Sequence, residues 1–443
     1  MNFKMRLKTT FAMLSVCILS FAQGEIPTMH LTLDKALEVA LSDNPTMKVA
    51  EKEITLKDVS KSEAWQNLLP SVTLDGAIVY NAKVAAMKMD MGDGVVREFK
   101  MGKDDTNTWN GGIQIAIPLY APAVYKTMSL SNSDLQLAVE KSRGSKLDLI
   151  NQVTKAYYQL MLAQDSYQVL LENYKQAERN YNIVKAKFDQ GKVSEFDKIS
   201  AEVQKNSAWP SVVSGKNAVD IAKLQMKVLM GITADINLVI DDNLKNYETE
   251  MAHSASEEID LVNNSTLRQI DLQGELLSKQ RKIMNTSFEP TLALVGTYQV
   301  QSISNPNWNL CKYNWSDAAS VTLSLSIPLF KAKNFTQIRS NRIQQELLAE
   351  TRINTERMLS MQAQSFKNNM TTSAEQLQSN KKAVELAQKG LEISQKMYEV
   401  GKGTILELNN SQVSLTNTQL SYNNSIYDYL VAKSELQTVL GKE

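Results

Sequence analysis

KFDQGKVSEFDKISAEV (residues 187–203) and MYEVGKGTILELNNSQV (residues 397–413) are two versions of one stretch. In each, an aromatic (Phe188, Tyr398) stands three residues before a glycine–lysine pair (Gly191-Lys192, Gly401-Lys402). A carboxylate (Asp197, Glu407) follows six residues after the glycine. Glycine tolerates the left-handed backbone that ends a helix, and a new apolar-periodic run starts three or four residues later. Each stretch therefore predicts a tight turn joining two helices. One such cap is ordinary, but the two glycines stand 210 residues apart with matching flanks, which implies that the chain is built twice.

The flanks extend the duplication. Upstream of Gly191, Val153, Leu160, Tyr167, Tyr174, Tyr181 and Phe188 recur every seven residues, with Ala156, Ala163, Leu170, Ala177 and Val184 as a second series. No proline interrupts Met128 to Phe188, so the pattern predicts a coiled-coil-like helix of about 60 residues. A helix from about Glu195 to Met230 follows, kinked at Pro210 and closed by Gly231. The second copy repeats the seam at Met370, Leu377, Val384, Leu391 and Tyr398.

Further upstream the period falls to two. Val72, Leu74, Ile78 and Tyr80 alternate with smaller or polar residues, as do Ile113, Ile115 and Ile117. Leu292, Leu294, Tyr298 and Val300 continue the pattern, and Val321, Leu323, Leu325 and Ile327 alternate with Thr322, Ser324 and Ser326. These runs predict strands 71–80, 111–118, 291–300 and 320–327, with a polar, Gly- and Met-containing loop over about 81–110. Each repeat thus reads as a helix of about 24 residues, two strands, a helix of about 60 and one of about 36. The two shorter helices, stacked end to end, would match the long one. The boundaries expected are a signal peptide at 1–22, a first repeat at 23–231, a linker at 232–256 holding the strand-like INLVI, and a second repeat at 257–443 with its helical hairpin at 331–440.

The signal reading rests on Lys4, Arg6 and Lys8 before an apolar run from Phe11 to Phe21, with Ser20-Phe21-Ala22 placing cleavage before Gln23. Val16 stands where a lipid-attachment site needs a small residue, so Cys17 is expected to leave with the signal. Cys311 alone then remains, which excludes an intramolecular disulfide. Zero formal net charge argues against a nucleic-acid partner. His30 and His253 are the only histidines, with no metal-ligand spacing and no Cys pair. Gly92-Asp93-Gly94 reads as a loop, not a phosphate cradle. Asp197 and Glu407 can be read as an acid/base pair or as charges favoured by a helix N-terminus. The chain is therefore expected to be no enzyme and to hold no cofactor or metal.

Four strands are too few to close a barrel, and open sheet edges are not tolerated in lipid, so several chains would have to pool them. A competing reading is a secreted coiled-coil scaffold or adaptor without a pore, which accounts for the helices but not for four amphipathic strands.

The order and duplication of these features resemble the TolC-type outer-membrane efflux factors. The resemblance covers nearly the whole chain after the signal, from LTLDKALEVALSDNP through LLPSVTL, IPLY, IPLF and YEVGKGTILEL to the closing VLG. It implies a mainly α fold with a small β part: a homotrimer whose twelve pooled strands form an outer-membrane barrel continuous with a periplasmic helical tunnel. It also implies a periplasmic adaptor protein, an inner-membrane pump reached through it, and outer-membrane lipid as partners. The helix-turn-helix tips, Gly191, Lys192 and Val193 with Gly401, Lys402 and Gly403, would dock the adaptor. Phe188, Asp197, Tyr398, Glu407 and Asn410 would line the periplasmic gate, with a hydrogen bond from Tyr398 to Asp197. Two places depart from the family pattern: Gly403 stands where an Arg often locks the closed state, and Asn410 where an acidic residue often completes the inner ring. Trp109, Trp308 and Trp315 flank strands as candidates for an interfacial girdle.

Overall fold

The computed structural model describes residues 27–90, 92, 96–100, 102–252 and 259–442. The signal segment with Cys17, His253 and the Asp93-Gly94 pair lie outside the described residues. The chain divides into one unit made of Met1–Val49, Gly144–Asn264 and Met358–Glu443, and a second made of Ala50–Arg143 and Ser265–Arg357. Each unit draws on both sequence repeats.

The helices are α1 (Leu33–Asp43), α2 (Pro45–Gln66), α3 (Pro122–Asp189), α4 (Glu195–Leu229), α5 (Ser265–Asn285), α6 (Ala332–Glu399) and α7 (Ile405–Leu440). α3 and α6 have 68 residues each, and α4 runs through Pro210 without a break in helical assignment. The strands are β1 (Thr28–His30), β2 (Ser71–Asn81), β3 (Ala86–Asp90), β4 (Val96–Lys100), β5 (Thr106–Tyr120), β6 (Asn237–Val239), β7 (Thr291–Asn305) and β8 (Ser316–Ser326).

In the first unit, Tyr157, Leu160 and Met161 of α3 are sealed against Met226 of α4, Leu238 of β6, and Ile426, Tyr429 and Leu430 of α7. The INLVI segment supplies β6, which pairs in parallel with β1. Residues of the seven-residue series lie on the buried side: Val153, Leu160, Ala177 and Val184 on α3, and Met370, Leu377, Leu391 and Tyr398 on α6. A polar layer interrupts this packing. Asn180 Nδ2 donates to Gln412 Oε1 at 3.1 Å, and Gln412 Nε2 donates to the Asn173 carbonyl at 2.8 Å. Such a satisfied buried pair fixes the axial register of α3 against α7, because sliding either helix would orphan both amides.

The sequence pair Asn44-Pro45 is more than a helix breaker. Asn44 ends α1, and its Oδ1 accepts from Thr46 N at 2.7 Å, capping α2, with Pro45 in the first position, where a missing N–H costs nothing. Its Nδ2 donates to the Leu229 carbonyl at 2.7 Å, one of the free carbonyls ending α4. The start of α2 therefore abuts the end of α4. Asn264 makes the same contact with the Val439 carbonyl at 2.7 Å, just before α5 and against the end of α7. In each repeat an asparagine at the corresponding place therefore ties into the end of that repeat's last helix.

The second unit holds a four-stranded antiparallel sheet in the order β2-β5-β7-β8. Its register assigns two faces. Leu74 pairs with Ile113, Val72 with Ile115, Ile117 with Leu294, Leu292 with Leu325 and Leu294 with Leu323, giving one apolar face. Thr73 pairs with Gln114, Asp75 with Gly112, Val295 with Thr322 and Ala293 with Ser324, giving an opposite, more polar face. The strands run longer than the alternation alone marked, because β5 and β7 stay paired out to Asn107 and Asn305. Asn305 is buried there and donates to the Asn107 carbonyl at 3.2 Å. The expected loop after β2 also contains a hairpin, β3 with β4, in which Met87 pairs with Phe99 and Lys88 with Glu98. Trp109 and Trp308 stack edge to face at 6.4 Å, and Tyr313 lies 6.2 Å from Trp109 and 6.0 Å from Trp315.

Candidate functional site: the paired helical turns

α3 ends by a left-handed glycine. Gly191 has φ +69°; its N–H donates to the Phe188 carbonyl at 2.8 Å, and Lys192 N donates to the Lys187 carbonyl at 2.9 Å. α6 ends the same way at Gly401 (φ +76°), with Gly401 N to the Tyr398 carbonyl at 3.2 Å and Lys402 N to the Met397 carbonyl at 2.9 Å. These paired bonds satisfy carbonyls that a helix end otherwise leaves free.

The next helices start on matching capping boxes. Ser194 Oγ accepts from Asp197 N at 3.1 Å while the Asp197 carboxylate accepts from Ser194 N at 3.1 Å. Thr404 Oγ1 accepts from Glu407 N at 3.2 Å while Glu407 accepts from Thr404 N at 2.8 Å. Each carboxylate has a structural task in its own turn, favoured by the positive end of the helix. The acid/base reading of this pair has no support in that arrangement, since one oxygen of each carboxylate is turned back onto its own helix start.

The two turns share a small core. Tyr398 and Leu391 of α6 pack with Val184 of α3, Ala201 of α4, and Ile405 and Leu408 of α7, with Tyr181 and Val193 at its edge. Phe188 is half-buried outside this cluster, its ring covered by Lys198 Nζ at 4.9 Å. Lys187 Nζ lies 5.0 Å from the Tyr398 ring centre, and Lys205 Nζ 4.8 Å from that of Tyr181. These ammonium groups sit on aromatic faces, where the ring quadrupole attracts a cation. Lys192, Lys402, Glu407 and Asn410 are exposed at the turns.

The expected hydrogen bond from Tyr398 to Asp197 does not form within the chain. Among the described residues the buried Tyr398 hydroxyl has no hydrogen-bond partner, whereas Asp197 accepts from both the N–H and the hydroxyl of Ser194. Burial first, and the nearby Asp197 charge second, push the Tyr398 hydroxyl above its ordinary range. A buried, unpaired hydroxyl costs about 1–3 kcal/mol, so Tyr398→Phe is expected to leave stability unchanged or raise it within that range. Thermal unfolding checks this; a clearly lower midpoint would mean that an acceptor on a neighbouring chain is being lost.

Gly403 is also crowded. A β-carbon there would stand 3.1 Å from Met397 Cβ and from Tyr398 N, so a larger residue requires the turn to shift. Sequence reading missed Lys187 and Lys198, whose roles depend on helix pairing, and Asn173, Asn180 and Gln412.

Duplicated long-helix hairpins joined to a two-faced strand sheet define an outer-membrane channel class of protein. The signature of the outer membrane efflux protein family matches residues 36–232 and 259–442, and the chain belongs to that family. Among curated proteins, none matches the chain by sequence. Solved structures share the fold. The CmeC outer membrane channel of Campylobacter jejuni superposes with a TM-score of 0.70 at 15% identity, over 95% of this chain and 90% of its own. VceC of Vibrio cholerae gives 0.69 at 14%, over 93% and 96%. The open-state MtrE channel of Neisseria gonorrhoeae gives 0.69 at 15%, over 95% and 93%. The TolC-type resemblance in the sequence is thereby borne out; this is a non-enzymatic transport family of the outer membrane.

Proposed function

We propose that the chain is the outer-membrane component of a tripartite efflux system. Three copies pool four strands each into a twelve-stranded barrel above a periplasmic helical tunnel. The observation that carries this reading is the sheet's uncovered apolar face: Leu74 is 80% exposed and Val321 77%, with Val72, Leu323 and Leu325 beside them. A scaffold in water would leave that face and two strand edges bare, whereas lipid covers the face and neighbouring chains pair the edges.

In this reading the turn tips dock a periplasmic adaptor, which links the tunnel to an inner-membrane pump. The core around Tyr398 holds the tips closed. Detergent-extracted protein should migrate as a heat-sensitive trimer, and purified trimer should conduct in planar bilayers; a monomer without conductance would sink the proposal. Tyr398→Ala, which empties a packed site at a cost of about 3–5 kcal/mol, is expected to raise open probability. Glu407→Gln keeps the cap, since Gln serves at that position too, and removes only charge. It should lower cation preference with little change in conductance if three Glu407 side chains face the axis.

A further inference from the structure

On the polar face of the four-stranded sheet, one side chain is ionisable. β5 offers Asn110, Gly112 and Gln114, β7 offers Thr297 and Gln299, and β8 offers Ser320, Thr322 and Ser324. β2 offers Thr73 and Asp75. The other acidic residue of these strands, Asp317, pairs with Val300 and so lies on the apolar side, near the Tyr298 hydroxyl at 3.4 Å.

Asp75 also stands beside a hollow. Its cross-strand partner is Gly112, and a cavity of about 310 Å³ lies beside the pair, lined among others by Asp75, Asn110, Gly112, Gln114, Thr297 and Gln299. Ile113 and Tyr298 of the apolar face also border it, but Leu74, Ile78 and Val300 do not, whereas Asp75, Ala77, Asn110, Gly112, Gln114, Thr297 and Gln299 of the polar face all do. A β-carbon at Gly112 would stand 2.7 Å from the Tyr298 carbonyl oxygen, so a larger residue there requires β7 to move. The Asp75 carboxylate has Thr73 Oγ1 at 3.2 Å and is otherwise presented to this amide-lined space.

We infer that Asp75 is a charge-selecting residue of the barrel lumen itself, separate from the periplasmic turns. This rests on the trimeric channel proposed above, in which three copies of Asp75 would ring the lumen about four residues above the start of β2. A carboxylate ring in a water-filled passage with low-dielectric walls focuses its field and raises the local concentration of small cations. The amides and hydroxyls around it are uncharged and offer nothing to offset that charge.

Reversal potentials in a potassium chloride gradient test this on the full-length trimer. Asp75→Asn is expected to lower the cation-to-anion permeability ratio about twofold or more, with the trimer intact. A second measurement removes any folding effect: Asp75→Cys in a Cys311→Ser background is treated, in the bilayer, with charged methanethiosulfonates. The anionic sulfonatoethyl reagent should restore the wild-type potential, and the cationic trimethylammonium reagent should drive it toward anion preference. Conducting trimers whose potential ignores both the substitution and the reagents would overturn the role of Asp75 and leave the channel standing. Absence of any conducting trimer in the wild type would overturn the channel, and this inference with it.

Discussion

Leu323→Arg is expected to abolish assembly of the trimer in the outer membrane, while Ser324→Arg is expected to assemble. The two positions are consecutive in β8 and both exposed in the single chain. They differ only in face. Leu323 pairs with Leu294 and is the middle of three apolar residues, Val321, Leu323 and Leu325; Ser324 pairs with Ala293 on the other side. An arginine on the lipid face costs about 2–4 kcal/mol near the bilayer midplane, and three copies would enter each of the proposed trimers. An arginine facing a water-filled lumen keeps its hydration. Heat-modifiable migration of outer-membrane fractions would read this directly. Equal tolerance of both would mean that neither face meets lipid, because a one-residue slip exchanges the faces and water treats them alike.

What could be read from the sequence follows from how local each signal is. The strand faces were legible because period two survives in residues such as Leu292, Leu294, Leu323 and Leu325, and the register then had no freedom without inverting both faces. The turns were legible because glycine conformation and helix restart occur within a few residues. The carboxylates were less so: Ser194-x-x-Asp197 and Thr404-x-x-Glu407 both carry the capping-box spacing, and that signal explains their position without invoking a gate. Asn173 and Asn180, seven residues apart, belong to a polar series with Gln159 and Ser166 that reads as a solvated face, and their meaning depends on Gln412, more than 200 residues away. The β3–β4 hairpin was missed because its strands mix lysine, glutamate and methionine. Such a pattern has no buried face to mark it.

Gly231→Ala is expected to destabilise the protein far more than Gly191→Ala or Gly401→Ala, although all three glycines end a helix with φ between +68° and +76°. The shared part of the cost is the left-handed conformation, about 1–2 kcal/mol for an L-residue. At Gly191 and Gly401 nothing lies within 4 Å of an added β-carbon, so that cost is the whole effect. At Gly231 the new methyl would stand 2.9 Å from the Asp43 carbonyl oxygen and 3.1 Å from its carbon, both backbone atoms that no rotamer change can move aside. Relieving the overlap must push the α1–α2 junction away from the end of α4, for an overpacking cost of about 1–3 kcal/mol. The same shift stretches the bond from Asn44 Nδ2 to the Leu229 carbonyl, which ties the two helix ends together. A total of roughly 2–5 kcal/mol is a large share of the stability of an ordinary domain. Because Asn44 and Gly231 act at one junction, Asn44→Ala combined with Gly231→Ala should cost less than the two separate losses added together. Urea midpoints of the detergent-solubilised variants would measure both effects. If Gly191, Gly231 and Gly401 all lost the same stability on conversion to alanine, the close approach at Gly231 would carry no energy, and the packing of the Asp43-Asn44 junction on the end of α4 would be contact without consequence.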